Sequence, residues 1–371
     1  MNFEFSEDQK FVQKTARDYL AEHSGLEVCR AVLEGGKSYD AGLWKGVAEM
    51  GWLGAAIPEE FGGAGLGYLE LALIAEEIGR ALAPIPFSPS VYLATEAILQ
   101  HGSDAQKKKW LPKLASGEAI GTFALEEGAG ETRPADVKTR FAGGRVTGTK
   151  VPVPAGDVAT FAVLAAQGDG GPSLVLVELG ATGVKREKLG SFDPSRSLAQ
   201  VAFENAPGEL LGAAGQGAEA TSRLLDRAAL LMAFEQIGGA DRAFELTRDF
   251  TMSRYAFGRP IASFQALKHR MADVFCAIEI ARSNAYYGAW ALSTGNAEEL
   301  AVAAPSSRVA ASDAFTLASE EMIQMYGGVG FTWEYDCHLF YRRARLLAQQ
   351  LGSPSAWRET LVARLEQRKN V

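Results

Sequence analysis

The densest set of ligand-binding groups in this chain lies in the twelve residues Arg254–Gln265, which hold Arg254, Phe257, Gly258, Pro260 and Gln265. A guanidinium grips phosphate through parallel N–H donors, a phenyl ring covers a flat base, and a carboxamide both donates and accepts. Together they suit a nucleotide with a diphosphate. The plainer alternative is a helix–turn–helix junction that happens to carry a surface arginine. A second segment, Gln324–Glu334, places Gly327, Gly328 and Gly330 where a helical pattern must stop. Paired glycines let backbone N–H groups approach an anion closely, although a helix C-cap followed by a loop uses them equally well. A third candidate is Glu235, an acid inside the apolar stretch Ala233–Gly239. Buried with a raised pKa it would suit proton transfer, whereas the structural alternative pairs it with an arginine such as Arg270 or places it in a local polar network.

These residues need helices to hold them. Ser6 followed by Gln9 is spaced as a capping box, opening a helix in which Phe11, Val12, Ala16 and Leu20 can share a face. Leu71, Ile74, Ile78 and Leu82 repeat that spacing, and Pro84 and Pro86 end it. From Gly121 the pattern shortens to runs such as Arg145–Thr147, Thr160–Ala165 and Leu174–Val177 between Gly, Pro and Asp, which predicts strands joined by turns as far as Val201–Phe203. Asn205, Pro207 and glycines 208, 212, 215 and 217 mark a boundary, beyond which Leu230, Phe234, Ile237, Phe244 and Leu246 are spaced for buried helical faces. The expected domains are helical over 1–120, β over 121–215 and helical over 216–371.

The chain has 371 residues, more than one core of about 250 to 300 residues usually serves. A net charge of -8 provides no basic footprint for nucleic acid. Cys29, Cys276 and Cys337 lie far apart and cannot all pair, which points to a reduced, cytoplasmic compartment. The start, Met1–Phe5, lacks the pattern of a leader, and no run reaches the roughly 18 apolar residues of a membrane span. The four histidines, His23, His101, His269 and His338, are not spaced as metal ligands, so no metal is expected.

Taken in order, the two C-terminal segments resemble the acyl-CoA dehydrogenase family. The resemblance extends through Gly51–Gly54, Ile57–Gly65, Glu76–Arg80, Trp110–Pro112 and Ala115–Glu118. It implies an α+β multidomain fold with an N-terminal α-helical domain, a middle β-barrel-like domain and a C-terminal four-helix bundle. It also implies FAD at a subunit interface. Arg254, Phe257 and Gln265, with Gln324, Gly327 and Gly328 approaching from a companion subunit, would then serve its adenine and diphosphate half. The family reaction takes a proton from the α-carbon of an acyl-CoA thioester and a hydride from the β-carbon, with an electron-transfer flavoprotein or similar acceptor downstream.

The resemblance breaks at two places. The family's flavin-side segment, Thr-Glu-Pro followed by Gly-Ser-Asp and later Trp-Ile-Thr, corresponds here to Leu125–Thr132 and Val151–Pro154. Pro152 and Pro154 bring no N–H, and the charges of Glu127 and Glu131 would oppose a phosphate. The family's base segment, Tyr-Glu-Gly-Thr, reads Gln350–Ser353, so Leu351 stands where a carboxylate is expected. A base on an earlier helix would align with Ala228; Asp226 lies about 200° round the helix from it, and Glu235 lies seven residues and about 10 Å on. Asp226, next to Arg227, reads as solvated or salt-bridged.

The run Phe331–Ala344 resembles a branch acting on bulky acyl-CoA esters, including steroid side-chain thioesters in actinobacteria, in which unlike chains form α2β2 assemblies. His338 within it reads as a helix-face histidine. These features imply a base-lacking subunit of a heteromeric dehydrogenase. The alternatives are an active homo-oligomer with a relocated base, a flavin monooxygenase on the same fold, and a structural subunit without flavin.

Overall fold

The computed structural model describes residues 5–369; Met1–Glu4, read above as part of a start without a leader, lie outside them. Helices α1 (Glu7–His23), α2 (Leu26–Gly35), α3 (Ala41–Glu49), α4 (Tyr68–Arg80), α5 (Glu96–His101) and α6 (Asp104–Ala115) come first, with a π-helical stretch at Ser88–Thr95. Strands β1 (Gly121–Ala124), β2 (Arg140–Ala142), β3 (Arg145–Pro154), β4 (Phe161–Gly168), β5 (Gly171–Glu178), β6 (Val184–Leu189), β7 (Leu198–Pro207) and β8 (Glu209–Leu211) follow. The remainder is α7 (Gly217–Ser253), the small strands β9 (Tyr255–Ala256) and β10 (Arg259–Pro260), α8 (Gln265–Ser293), α9 (Ala297–Tyr326), α10 (Cys337–Gln349) and α11 (Pro354–Lys369). The expected succession of helical, β and helical parts is present. Compactness follows a different division, with one unit made of 1–30, 68–83 and 229–371 and the other of 31–67 and 84–228.

In the first unit the capping box forms as its spacing predicts: Gln9 N–H donates to Ser6 Oγ at 3.2 Å, and Ser6 N–H donates to Gln9 Oε1 at 3.0 Å. Ala16 and Leu20 are buried, but Phe11 is 70% exposed. One residue is about 100° of helix, so Phe11 falls beside the face that Val12, Ala16 and Leu20 share. Helix α4 is buried from Leu71 to Gly79 and crosses α7 with the two backbones in contact. A Cβ at Gly79 would lie 1.8 Å from the carbonyl oxygen of Glu235, and one at Gly238 would lie 1.8 Å from that of Glu76. Only glycine on each helix permits this approach. Helices α8 and α9 form a hairpin whose second arm is capped by Asn296, its Oδ1 accepting from Glu299 N–H at 3.1 Å.

The second unit is built on an eight-stranded sheet of order β6-β7-β3-β2-β4-β5-β8, with β1 paired in parallel to β4. Residues 161–166 of β4 and 173–177 of β5 are buried on both faces, which explains why they read as continuous apolar runs and not as alternation. Trp110 of α6 packs on Phe161 with ring centroids 4.4 Å apart. Among the described residues no helix is long and apolar enough to cross a membrane.

Candidate functional site

The segment Arg254–Gln265 is a tight hairpin between α7 and α8. Ile261 N–H donates to Arg254 O at 2.8 Å, and β9 pairs with β10 across the two-residue loop Phe257–Gly258. Both loop residues have positive φ, 53° and 77°. A two-residue hairpin of this hand favours Asn-Gly, and a phenylalanine in that conformation is strained. Phe257 is also 95% exposed. A strained and uncovered aromatic is what a ligand or partner contact would explain and the isolated hairpin would not. Among the described residues no side chain pairs with the exposed guanidinium of Arg254.

Gln324 sits on the last turn of α9. With Ala256, Phe257, Ile261, Phe264, Ala266, Leu267, Arg270, Glu321 and Met325 it lines a cavity of about 510 Å³, within the range of about 300 to 1,000 Å³ usual for small-molecule sites. The two segments singled out in the sequence are therefore brought together within one chain. Arg259 lies over the Phe264 ring at 4.1 Å, and Phe257 meets the same ring edge-on at 6.2 Å. At Gly327 and Gly328 an added Cβ would touch nothing within 4 Å. Gly327 needs its φ of 65°, but among the described residues no packing demands glycine at 328, so its backbone is open to an approaching group. An unpaired guanidinium, an apolar cavity, a carboxamide and open glycines fit the adenosine diphosphate half of FAD.

The segments that align with the family's flavin side belong to the second unit. Leu125–Gly128 and Lys150–Pro154 run side by side, Val151 N–H donating to Glu126 O at 2.8 Å and Gly128 N–H to Val151 O at 3.0 Å. Glu127, whose charge was expected to oppose a phosphate, is paired with a lysine. Lys150, fully buried, donates through Nζ to Glu127 Oε1 at 2.7 Å and to Leu125 O at 3.0 Å. Backbone N–H groups of Lys138 and Thr139 add bonds at 2.6 and 2.9 Å. Burial pushes the Glu127 carboxyl upward, but these donors outweigh it and hold it at about 2. Burial pulls the Lys150 amine down, opposed by Glu127. Pro152 is exposed and Pro154 half-buried, with Pro154 O accepting from Thr122 Oγ1 at 2.5 Å. Burial raises Glu126, which accepts from Thr132 N–H at 2.8 Å.

No carboxylate stands at the two positions that align with the family's base, Leu351 and Ala228. Leu351 is half-buried with a φ of 66°, and the carbonyls before it, Leu347 O and Gln350 O, accept from Arg308. Arg308 is 1% exposed and also bonds Gln236 and Ser312; burial pulls its pKa down while the Glu235 carboxylate opposes this. Glu235 is therefore fully buried with Arg308 as its neighbouring charge, in place of the Arg270 named from sequence. Arg270 instead pairs with Glu321 at 2.7 Å. Asp226 is 7% exposed, not solvated, and Arg227 pairs with Glu96. His338 stacks on Trp333 at 4.2 Å, with Arg30 and Arg342 over the same indole at 5.6 and 5.8 Å. Sequence reasoning missed Lys150, Arg308 and Glu321. Glu321 was findable, since it lies three residues before Gln324 and so on its helical face.

Comparison with known proteins identifies the family and the fold. The model of the acyl-CoA dehydrogenase N-terminal domain matches residues 6–118, and that of the C-terminal domain matches 215–365. Acyl-CoA dehydrogenase IpdE2 of Mycobacterium tuberculosis is 34% identical over 349 residues, 94% of either chain. Among solved structures, a chain of the Tcur3481–Tcur3483 steroid ACAD is 30% identical with a TM-score of 0.89, covering 98% of this chain and 99% of its own. A chain of the ChsE4–ChsE5 complex from Mycobacterium tuberculosis is 26% identical with a TM-score of 0.89, covering 99% and 100%. The chain belongs to the acyl-CoA dehydrogenase family, an oxidoreductase family of flavoproteins.

Proposed function

We propose that this chain is the base-lacking subunit of a heteromeric, FAD-dependent acyl-CoA dehydrogenase acting on a bulky, steroid-like acyl-CoA thioester in the cytoplasm. The observation that carries the reading is the contrast between Leu351, held at the base position by Arg308 on the preceding carbonyls, and an open adenine-side site around Arg254. Family members generally use FAD, which when bound supplies the acceptor for a hydride. Arg254 would grip the diphosphate, Phe257 cover the base, and Gln265, Gln324, Gly327 and Gly328 supply hydrogen bonds. A second family chain would bring the carboxylate base, and an electron-transfer flavoprotein or similar protein would take the electrons. Glu235 serves in this reading as the counter-charge of Arg308 and not as a base.

The test is to purify the chain alone and together with a family member encoded beside it, measuring FAD per chain and acyl-CoA-dependent dye reduction. Flavin and turnover are expected only for the pair. A lone chain with full flavin and turnover would overturn the reading, and loss of that turnover in Glu235→Gln would restore Glu235 as base.

A further inference from the structure

The cavity beside Phe257 contains one group that the site as described does not use. Glu321 is 7% exposed and lines the cavity; Arg270 holds its Oε1, while its Oε2 is buried with no hydrogen-bond partner among the described residues. Leaving such an oxygen unsatisfied is costly, and more so for a charged group. A ligand that donates an N–H there would remove the penalty.

The surroundings narrow the donor. Phe257, Ile261, Phe264, Leu267 and Met325 make the walls apolar, suited to a flat ring and not to a sugar or a peptide. Arg270 already matches the charge of Glu321, so the site has no net charge to attract a cation. The remaining requirement is a neutral N–H donor on an aromatic ring. Gln324, on the same wall one helical step away, offers a carboxamide to an adjacent ring nitrogen.

We infer that Glu321 is the specificity-determining residue of this cavity, accepting a hydrogen bond from the exocyclic amine of an aminopurine ring. This rests on the adenine-side reading above and adds to it the group that distinguishes adenine from other flat rings. A site built around such a bond discriminates strongly against an analogue that lacks the donor.

The experiment is calorimetric titration of the full chain, in the assembly it forms, with ADP and with the 5′-diphosphate of purine riboside, which carries hydrogen in place of the amine. ADP should bind at least about tenfold more tightly, the loss expected for one hydrogen bond to a charged group. Glu321→Leu should bring that ratio to one, while Arg254→Ala should weaken both ligands by one factor and preserve it. Equal binding of the two ligands by the unmodified chain overturns the role of Glu321 and leaves the adenine-side reading standing. Binding of neither, with FAD also failing to bind, overturns that reading itself. The ratio in the unmodified chain decides the matter even if Glu321→Leu does not fold.

Discussion

Lys150 and Glu127 form a buried ion pair whose worth can be worked from its geometry. Replacing Lys150 with Met removes the donor to Glu127 Oε1 at 2.7 Å and to Leu125 O at 3.0 Å, while the unbranched Met side chain fills a similar volume. Glu127 then keeps only the N–H groups of Lys138 and Thr139. The full set of donors holds its carboxyl at about 2 against an ordinary 4.5. The difference of about 2.5 units, at about 1.36 kcal/mol each, amounts to about 3 kcal/mol. Removing one partner of a buried pair costs about 3 to 5 kcal/mol, so the single Lys150→Met replacement, which also strands the Glu127 charge, should cost at least as much. The sign follows from the depressed pKa. The stabilisation is fully present above the unfolded value near 4.5 and is lost as pH falls toward 2. The assay is a double-mutant cycle of Lys150→Met, Glu127→Gln and the double variant, unfolded in urea at pH 7 and again below pH 4. Lys150 supplies part of the Glu127 depression and the Lys138 and Thr139 N–H groups the rest, so a coupling of about 1 to 2 kcal/mol at pH 7, shrinking at the lower pH, is expected. Additivity within about 0.5 kcal/mol at pH 7 would refute the pairing argument.

Three further outcomes follow from the same geometry. Arg254→Ala should weaken FAD binding about tenfold to a hundredfold without changing the far-UV circular dichroism, as loss of one charged hydrogen-bonding group requires; titration of the assembled protein measures it. Phe257→Gly should relieve the positive φ and raise the unfolding midpoint, gaining about 1 kcal/mol, while flavin affinity falls; unchanged affinity would show that the exposed ring covers nothing. Gly79→Ala drives a methyl group into the Glu235 carbonyl and should cost at least about 1 to 3 kcal/mol in thermal or urea unfolding, with Gly238→Ala behaving alike.

Much of the fold was legible because it rests on local rules. Ser6 and Gln9 form their capping box, Leu71, Ile74, Ile78 and Leu82 are all buried, and the apolar runs at 161–165 and 174–177 are central strands. Helical and strand periods are properties of neighbouring residues and survive any tertiary arrangement. Phe11 was misplaced because a single residue turns a helix by about 100°, and only packing shows where the buried face ends.

The candidate site divides along the same line. Residue types and order alone singled out Arg254, Phe257, Gln265, Gln324, Gly327 and Gly328, and showed that Leu351 cannot take a proton. That Gln324 and Phe257 share one cavity, 67 positions apart, depended on the α8–α9 hairpin. The pairing of charges was likewise decided in three dimensions. Glu127 found Lys150, Arg270 found Glu321 and not Glu235, and Glu235 came to lie beside Arg308. A charge is long-ranged and indifferent to sequence separation, and its cost on burial depends on which donors the fold brings within about 3 Å. The sequence by itself determined the family's frame and the leucine at 351; the tertiary structure decided which acids are neutralised and left one oxygen of Glu321 facing no donor among the described residues.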